Sequence, residues 1–275
     1  MTVRAFLLTF LFVLTAAAQE KGSWVTGKAT AYGTDIAKMQ ADAVKRARAD
    51  ALNQAGIVVS ASSFRVQSES NTAMNDYYSQ FTEATSRGII TQERNIAVSD
   101  PVRVTGSSKG TDKVFQVTAE LEAYVVIPEG TTDPAYTVTV KTSRTSYRES
   151  EPVLLEITAS KDSYITIVNV KNDSIQVPLP NVLLKENAAK AKKSFLFPNG
   201  FELYLTVDEG EKSGTEEFII IATREPVPVM QRENGAIIGG ELVLPKLTMT
   251  ELSQWLASIP LHQRCIAHTV LTVVK

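Results

Sequence analysis

Cysteine is almost absent from this chain of 275 residues; Cys265 stands alone. No intramolecular disulfide can form, so the fold must hold by packing, which a core of this size can supply. Histidine is nearly as scarce, with only His262 and His268. A charge excess of one sign is missing too: 28 basic residues face 30 acidic ones, for a net charge of −2. Neither half is basic enough to track a phosphate backbone, so a nucleic-acid partner is not expected. A long apolar run is also lacking. "AFLLTFLFVL", Ala5 to Leu14, is too short to cross a bilayer as a helix, and nothing after it comes closer. The chain has no glycine loop built to cradle phosphate, no His-Glu-x-x-His and no nucleophile elbow, so the commonest hydrolase and nucleotide chemistries lose their anchors.

The first residues read as an address rather than as fold. Arg4, the run after it, and the small residues Ala16 and Ala18 form a secretory signal over residues 1–18, with cleavage before Gln19. An uncleaved anchor is the rival. No cysteine stands at the cleavage point, so a lipid-modified N-terminus is excluded. The expected location is periplasmic or extracellular.

Residues 21–128 pattern as a small α/β domain. "SWVTGKATAYG" reads as a strand ending near Gly33, and Thr34 or Asp35 can cap a helix to about Ala55. The helix seam is Ile36, Met39, Ala43, Ala47, Ala51 and Ala55, widened by Val44 and Leu52. Alanine there lets a helix approach a sheet closely. Gly56 suits a left-handed C-terminal position, before a strand "IVVSAS". A second helix is expected from Met74 to about Arg87. Its stripe of Tyr77, Tyr78 and Phe81 reads as core packing, with a ligand pocket as the rival. Two further strands follow, joined by a hairpin-like "SSKGTD". In the last, Phe115, Val117, Ala119, Leu121, Ala123 and Val125 alternate with polar residues. The order predicts a sheet with two helices on one face.

The alanine-rich helix ending "ADALNQAG", then "IVVSASS", an aromatic helix, "SRGII" and "FQVTAELEAYV" together resemble the N-terminal domain of flagellar assembly protein T and related small envelope lipoproteins. The resemblance implies a periplasmic or outer-membrane-associated module that in the flagellar case helps build a ring around the basal body. Anchoring does not carry over, because the lipoprotein cysteine is missing. The flagellar role does not carry over either, because the shared residues are structural.

After the short linker "EGTTDP", residues 133–275 are rich in strands: "YTVTVKTS", "PVLLEITAS", "YITIVNV", "SIQVPL", "FELYLTV" and "EFIIIAT", separated by turn clusters. Pro178, Pro180, Pro198, Pro226 and Pro228 are read as standing at run ends. An antiparallel β-sandwich is expected, with one short helix at "TMTELSQWLASIP". Thr248 and Glu251 make its capping box, and Leu252, Trp255, Leu256 and Ile259 its buried face. "NGAIIGG" is read as a turn and "CIAHTVLTVVK" as a final strand. "SYITIVNVKNDSIQVPLPN", "FPN" and "EEFIIIATREP" resemble the bacterial domain of unknown function 4384, over about residues 150–229. That resemblance implies a β-rich accessory module of envelope proteins, with Pro180 and Asn181 forming its turn. The overall class is α+β.

"HQRCIAH" is the sharpest polar cluster. On a strand, His262 and His268 share one face and Cys265 points away, which disfavours both a zinc site and a Cys-His nucleophile. The plain reading is a buried thiol and two surface or edge histidines. Lys190, Lys192 and Lys193 form a basic run that reads as a solvated loop, with anionic lipid or polysaccharide as the alternative. No catalytic, metal or cofactor residue is assigned beyond the metal candidates His262, Cys265 and His268. The expected function is a non-enzymatic envelope adaptor that recognises a protein partner. A glycan or small-ligand binder is the alternative, and a hydrolase with a loop-built site ranks below it. The oligomeric state is left open.

Overall fold

Small residues decide how the N-terminal half packs. The computed structural model describes residues 22–57, 88–104, 114–171, 174–229, 235–238 and 241–275. Strand β1 (Gly22–Gly33) is followed by helix α1 (Ile36–Gln54), whose N-cap is Asp35 accepting from the Lys38 amide. Met39, Ala43, Ala47, Ala51 and Leu52 of α1 are buried. A Cβ on Gly27 of β1 would lie 2.0 Å from the Ala47 carbonyl oxygen. The helix therefore rests directly on the strand backbone. Ile36, expected in the seam, is instead 43% exposed. It is the first residue of α1, beyond the end of β1, and Met39 takes the place above Gly33.

Strands β2 (Ile89–Val98), β3 (Val102–Arg103) and β4 (Phe115–Val126) complete this sheet, in the order β1-β4-β2 with β3 also on β4. Val117, Ala119, Leu121, Ala123 and Val125 of β4 face α1, as their alternation predicts. The single strand expected around "SDP" is divided into β2 and β3 there. The expected strand after Ile57, the helix from Met74 with its aromatic stripe, the "SSKGTD" hairpin and the signal segment lie outside the described residues.

The C-terminal half is built almost wholly of strands. They are β5 (Val138–Lys141), β6 (Ser146–Arg148), β7 (Pro152–Val153), β8 (Leu155–Ala159), β9 (Ser163–Lys171), β10 (Ser174–Leu179), β11 (Ala188–Ala189), β12 (Ser194–Phe197), β13 (Leu203–Tyr204) and β14 (Ser213–Thr223). After them come β15 (Ala236–Ile238), β16 (Glu241–Val243), β17 (Lys246–Leu247), helix α2 (Met249–Ala257), a 3-10 turn at Leu261–Gln263 and β18 (Arg264–Val274). A seven-stranded sheet runs β17-β10-β9-β14-β18-β6, with β11 on β9. A three-stranded sheet runs β12-β8-β5, and β13 pairs with β7. One pair, β18 with β6, is parallel, so the expectation of purely antiparallel pairing needs correcting. "NGAIIGG" also corrects: Ala236–Ile238 is a strand paired with β16. Pro178 lies inside β10, not at its end, at a register shift between Gln176 and Leu179 where the ladder has a gap for it.

The central strands β9 and β14 are buried on both faces, which is why "YITIVNV" and "EFIIIAT" read as continuous apolar runs. On one face, Ile165, Ile167, Phe218 and Ile220 meet Leu155, Ile157, Val153 and Phe197 from the smaller sheets. On the other, Val168, Val170, Ile219 and Ile221 meet Leu252, Trp255 and Leu256 of α2. That second cluster also takes in Ile89 and Val126 from the N-terminal sheet, so the two halves share a core. Helix α2 has its capping box at Thr248 and Glu251. Its last turn is held by Arg264, whose guanidinium donates to the Leu256 carbonyl at 2.5 Å. Burial pulls Arg264 down to about 10.

Candidate recognition face and polar clusters

The structure separates the three residues of "HQRCIAH". His262 lies in the 3-10 turn before β18, not on the strand, so it does not share a strand face with His268 as the alternation implied. It packs on the linker: a Cβ at Gly130, where φ is +81, would lie 2.7 Å from His262 Nδ1. Beside it the Leu261 amide donates to the Glu129 carbonyl at 2.8 Å. Cys265 and His268 are on β18 and face opposite sides, as a strand requires.

Cys265 borders a polar group at one end of the larger C-terminal core. The Tyr136 hydroxyl lies 3.0 Å from Ser163 Oγ, and Tyr136 and Cys265 border the same core cluster. Ser163 Oγ donates to the Lys161 carbonyl at 2.8 Å. Asp133 pairs with Lys161 at 2.8 Å and with Arg224, whose guanidinium stands 5.2 Å from the Tyr136 ring centroid. Burial pushes the Cys265 thiol up to about 12 and the Tyr136 phenol to about 12. The Lys161 hydrogen bond leads in holding Asp133 below its usual range. A thiol held this high is a poor nucleophile, because the thiolate is the reactive form.

His268 meets a different partner. Its Nδ1 lies 3.1 Å from Oε1 of Glu217, a carboxylate with no solvent exposure, while the imidazole is 41% exposed. Glu217 Oε2 is buried without a hydrogen-bond partner. On the opposite face of β14, Glu216 accepts from Asn169 Nδ2 at 3.0 Å, and burial raises its pKa against the pull of Asn169 and Lys171. Among the described residues, no three His, Cys, Asp or Glu side chains are grouped to hold a metal ion. Lys190, of the basic run, pairs with Asp162 at 2.9 Å on the surface. A Gly-x-Ser-x-Gly string does occur, Gly106 to Gly110. It lies outside the described residues, between β3 and β4 in the sequence.

The N-terminal sheet carries the most organised surface. One side is packed on α1, and the strand register shows what the other side presents. Across β1 and β4 the rows are Trp24 with Tyr124, Thr26 with Glu122, Lys28 with Glu120, Thr30 with Thr118, and Tyr32 with Gln116. Arg94 extends the second row, Ala97 the third and Val102 the last. Arg94 stands 3.9 Å over the Trp24 ring and bonds Glu122 at 2.5 Å. Lys28 pairs with Glu120 at 2.8 Å, and the Thr30 and Thr118 hydroxyls are 3.1 Å apart. Trp24 is 38% exposed, Tyr32 60% and Val102 62%. The β1 edge beside this face is closed by α1. Asp50 accepts from the Lys28 amide at 2.9 Å, and Arg46 donates to the Thr30 carbonyl at 3.4 Å. Such capping guards an edge against strand addition. Alternation in "WVTGKATAY" was the signal for this face. Sequence reasoning missed it because it followed the apolar side of the strand.

Residues 146–226 match a domain of unknown function, DUF4384. The match covers β6 to the end of β14 and includes Asn181, the residue of the expected Pro-Asn turn. Asn181 is buried, donates to the Pro178 carbonyl at 2.6 Å and accepts from the Leu183 and Leu184 amides at 2.8 Å each. The matched segment contains Glu216, Glu217 and Arg224, while His262, Cys265 and His268 follow it. The N-terminal resemblance to flagellar assembly protein T finds no support in the comparisons, and no curated protein matches the chain. No described helix is long and apolar enough to cross a membrane.

Proposed function

We propose that this protein is exported to the bacterial cell envelope and works there as a recognition module rather than as a catalyst. The supporting observation is the face of the N-terminal sheet opposite α1, where Trp24, Lys28 and Tyr32 are exposed among the described residues while Tyr124, at one end, packs on the shared core. Export rests on the N-terminal sequence pattern. The C-terminal layers read as a β-sandwich that carries this sheet, with the linker pinned by His262, Lys161 and Arg224. A hydrolase built on Cys265 is disfavoured by its raised thiol and by the opposite facing of His268.

The test is in-cell crosslinking of the full tagged protein with a photoreactive residue at Thr30, followed by identification of the adducts. Discrete adducts that disappear with Tyr32→Ala support the reading. Adducts unchanged by Tyr32→Ala refute this face as the recognition site.

A further inference from the structure

We infer that the open face binds an uncharged polysaccharide strand; this rests on reading that face as the recognition surface. Three features decide between ligand classes. First, the charges cancel within the face: Lys28 is taken by Glu120 at 2.8 Å and Arg94 by Glu122 at 2.5 Å. A polyanion needs cations that are not already neutralised, and a polycation needs spare carboxylates. Neither is offered.

Second, the layout is the inverse of a protein interface. Protein contacts put aromatic and apolar anchors at the centre and charge at the rim. Here the paired charges hold the centre, and the rings of Trp24 and Tyr32 mark the ends. Third, the dimensions suit a linear chain. Trp24 and Tyr32 are eight residues apart on one strand, roughly 26 Å at the usual rise. Both point to the same side. Sugar rings offer apolar C–H faces to Tyr32, 60% exposed, and to the part of Trp24 left uncovered by Arg94, which stands 3.9 Å over its ring; sugar hydroxyls both donate and accept. Paired carboxylates and cations have lone pairs and N–H groups left for them.

The probes are hydroxyethylcellulose, laminarin and chitohexaose, with alginate as an anionic control, measured on the mature full chain by affinity electrophoresis and calorimetry. The expected result is retention by at least one uncharged glycan, little weakened by salt because no net charge is recruited. Tyr32→Ala should weaken it about tenfold. Circular dichroism checks that the variant is folded, and Trp24→Ala repeats the test at the other end. No binding to any uncharged probe overturns the inference, as does preference for alginate or binding indifferent to both substitutions. Failure here with discrete Thr30 protein adducts in cells leaves the recognition face standing and makes its partner a protein. Failure of both removes the face itself.

Discussion

Adding one methyl group at Gly27 should lift helix α1 off its sheet. The Cβ of Gly27→Ala would lie 2.0 Å from the Ala47 carbonyl oxygen and 2.9 Å from both the nitrogen and Cβ of Ala51. Ordinary contact begins near 3.4 Å, so the helix and strand must separate by about an ångström or more. The obstacle is backbone, which no rotamer change can relieve. Separation loosens Ala43, Ala47 and Ala51, which are all fully buried, and a gap of that size forfeits a large part of each dispersion contact. The expected cost is about 2–4 kcal/mol, above the usual overpacking range because the whole seam moves. The assay is urea unfolding of the mature chain followed by far-ultraviolet circular dichroism. Gly56→Ala is the control: φ is +83 there and nothing lies within 4 Å of the added Cβ. It should cost about 1 kcal/mol, from backbone strain alone. If Gly27→Ala matches the control or costs less, the close approach of α1 to β1 is wrong.

Leu52→Asp should unfold the N-terminal sheet, since it places an unpaired charge in a position only 5% exposed; native-like hydrogen-exchange protection in β1 and β4 would contradict this. Glu216 has its pKa raised by burial above its ordinary 4.5. Its stabilising contribution is therefore whole below that value and is lost as pH rises through the folded value. Glu216→Gln should consequently gain stability relative to wild type as pH rises above about 4.5, and unfolding midpoints that differ by a constant amount across that rise would refute the assignment. Cys265, held up at about 12, should react slowly with iodoacetamide at pH 8 while folded and at the rate of a free thiol in urea. Equal rates in both states would show the thiol to be exposed.

Periodicity and turn chemistry alone fixed much of this protein. The seam of α1 could be read because residues spaced three and four apart must share a helix face, and Gly56 could end it because only glycine adopts that left-handed angle at no cost. The capping box of α2 and the alternation of β4 are likewise local, carried by neighbours along the chain. What stayed hidden depends on residues distant in sequence. Nothing near Lys28 says that Glu120 will stand beside it, because that pairing is set by the register of two strands 92 residues apart. Pro178 could enter a strand only because the partner strand slips at that point. His262 left the strand that its spacing predicted because the chain must turn there to meet the linker at Glu129. Ile89 and Val126, which end an otherwise open sheet face, were buried by α2 and the C-terminal sheet, and no local pattern specifies that contact. The sequence determines which side of each element is apolar; the tertiary structure determines which apolar sides meet and which polar rows remain in solvent, because those depend on registers and approaches that span the whole chain.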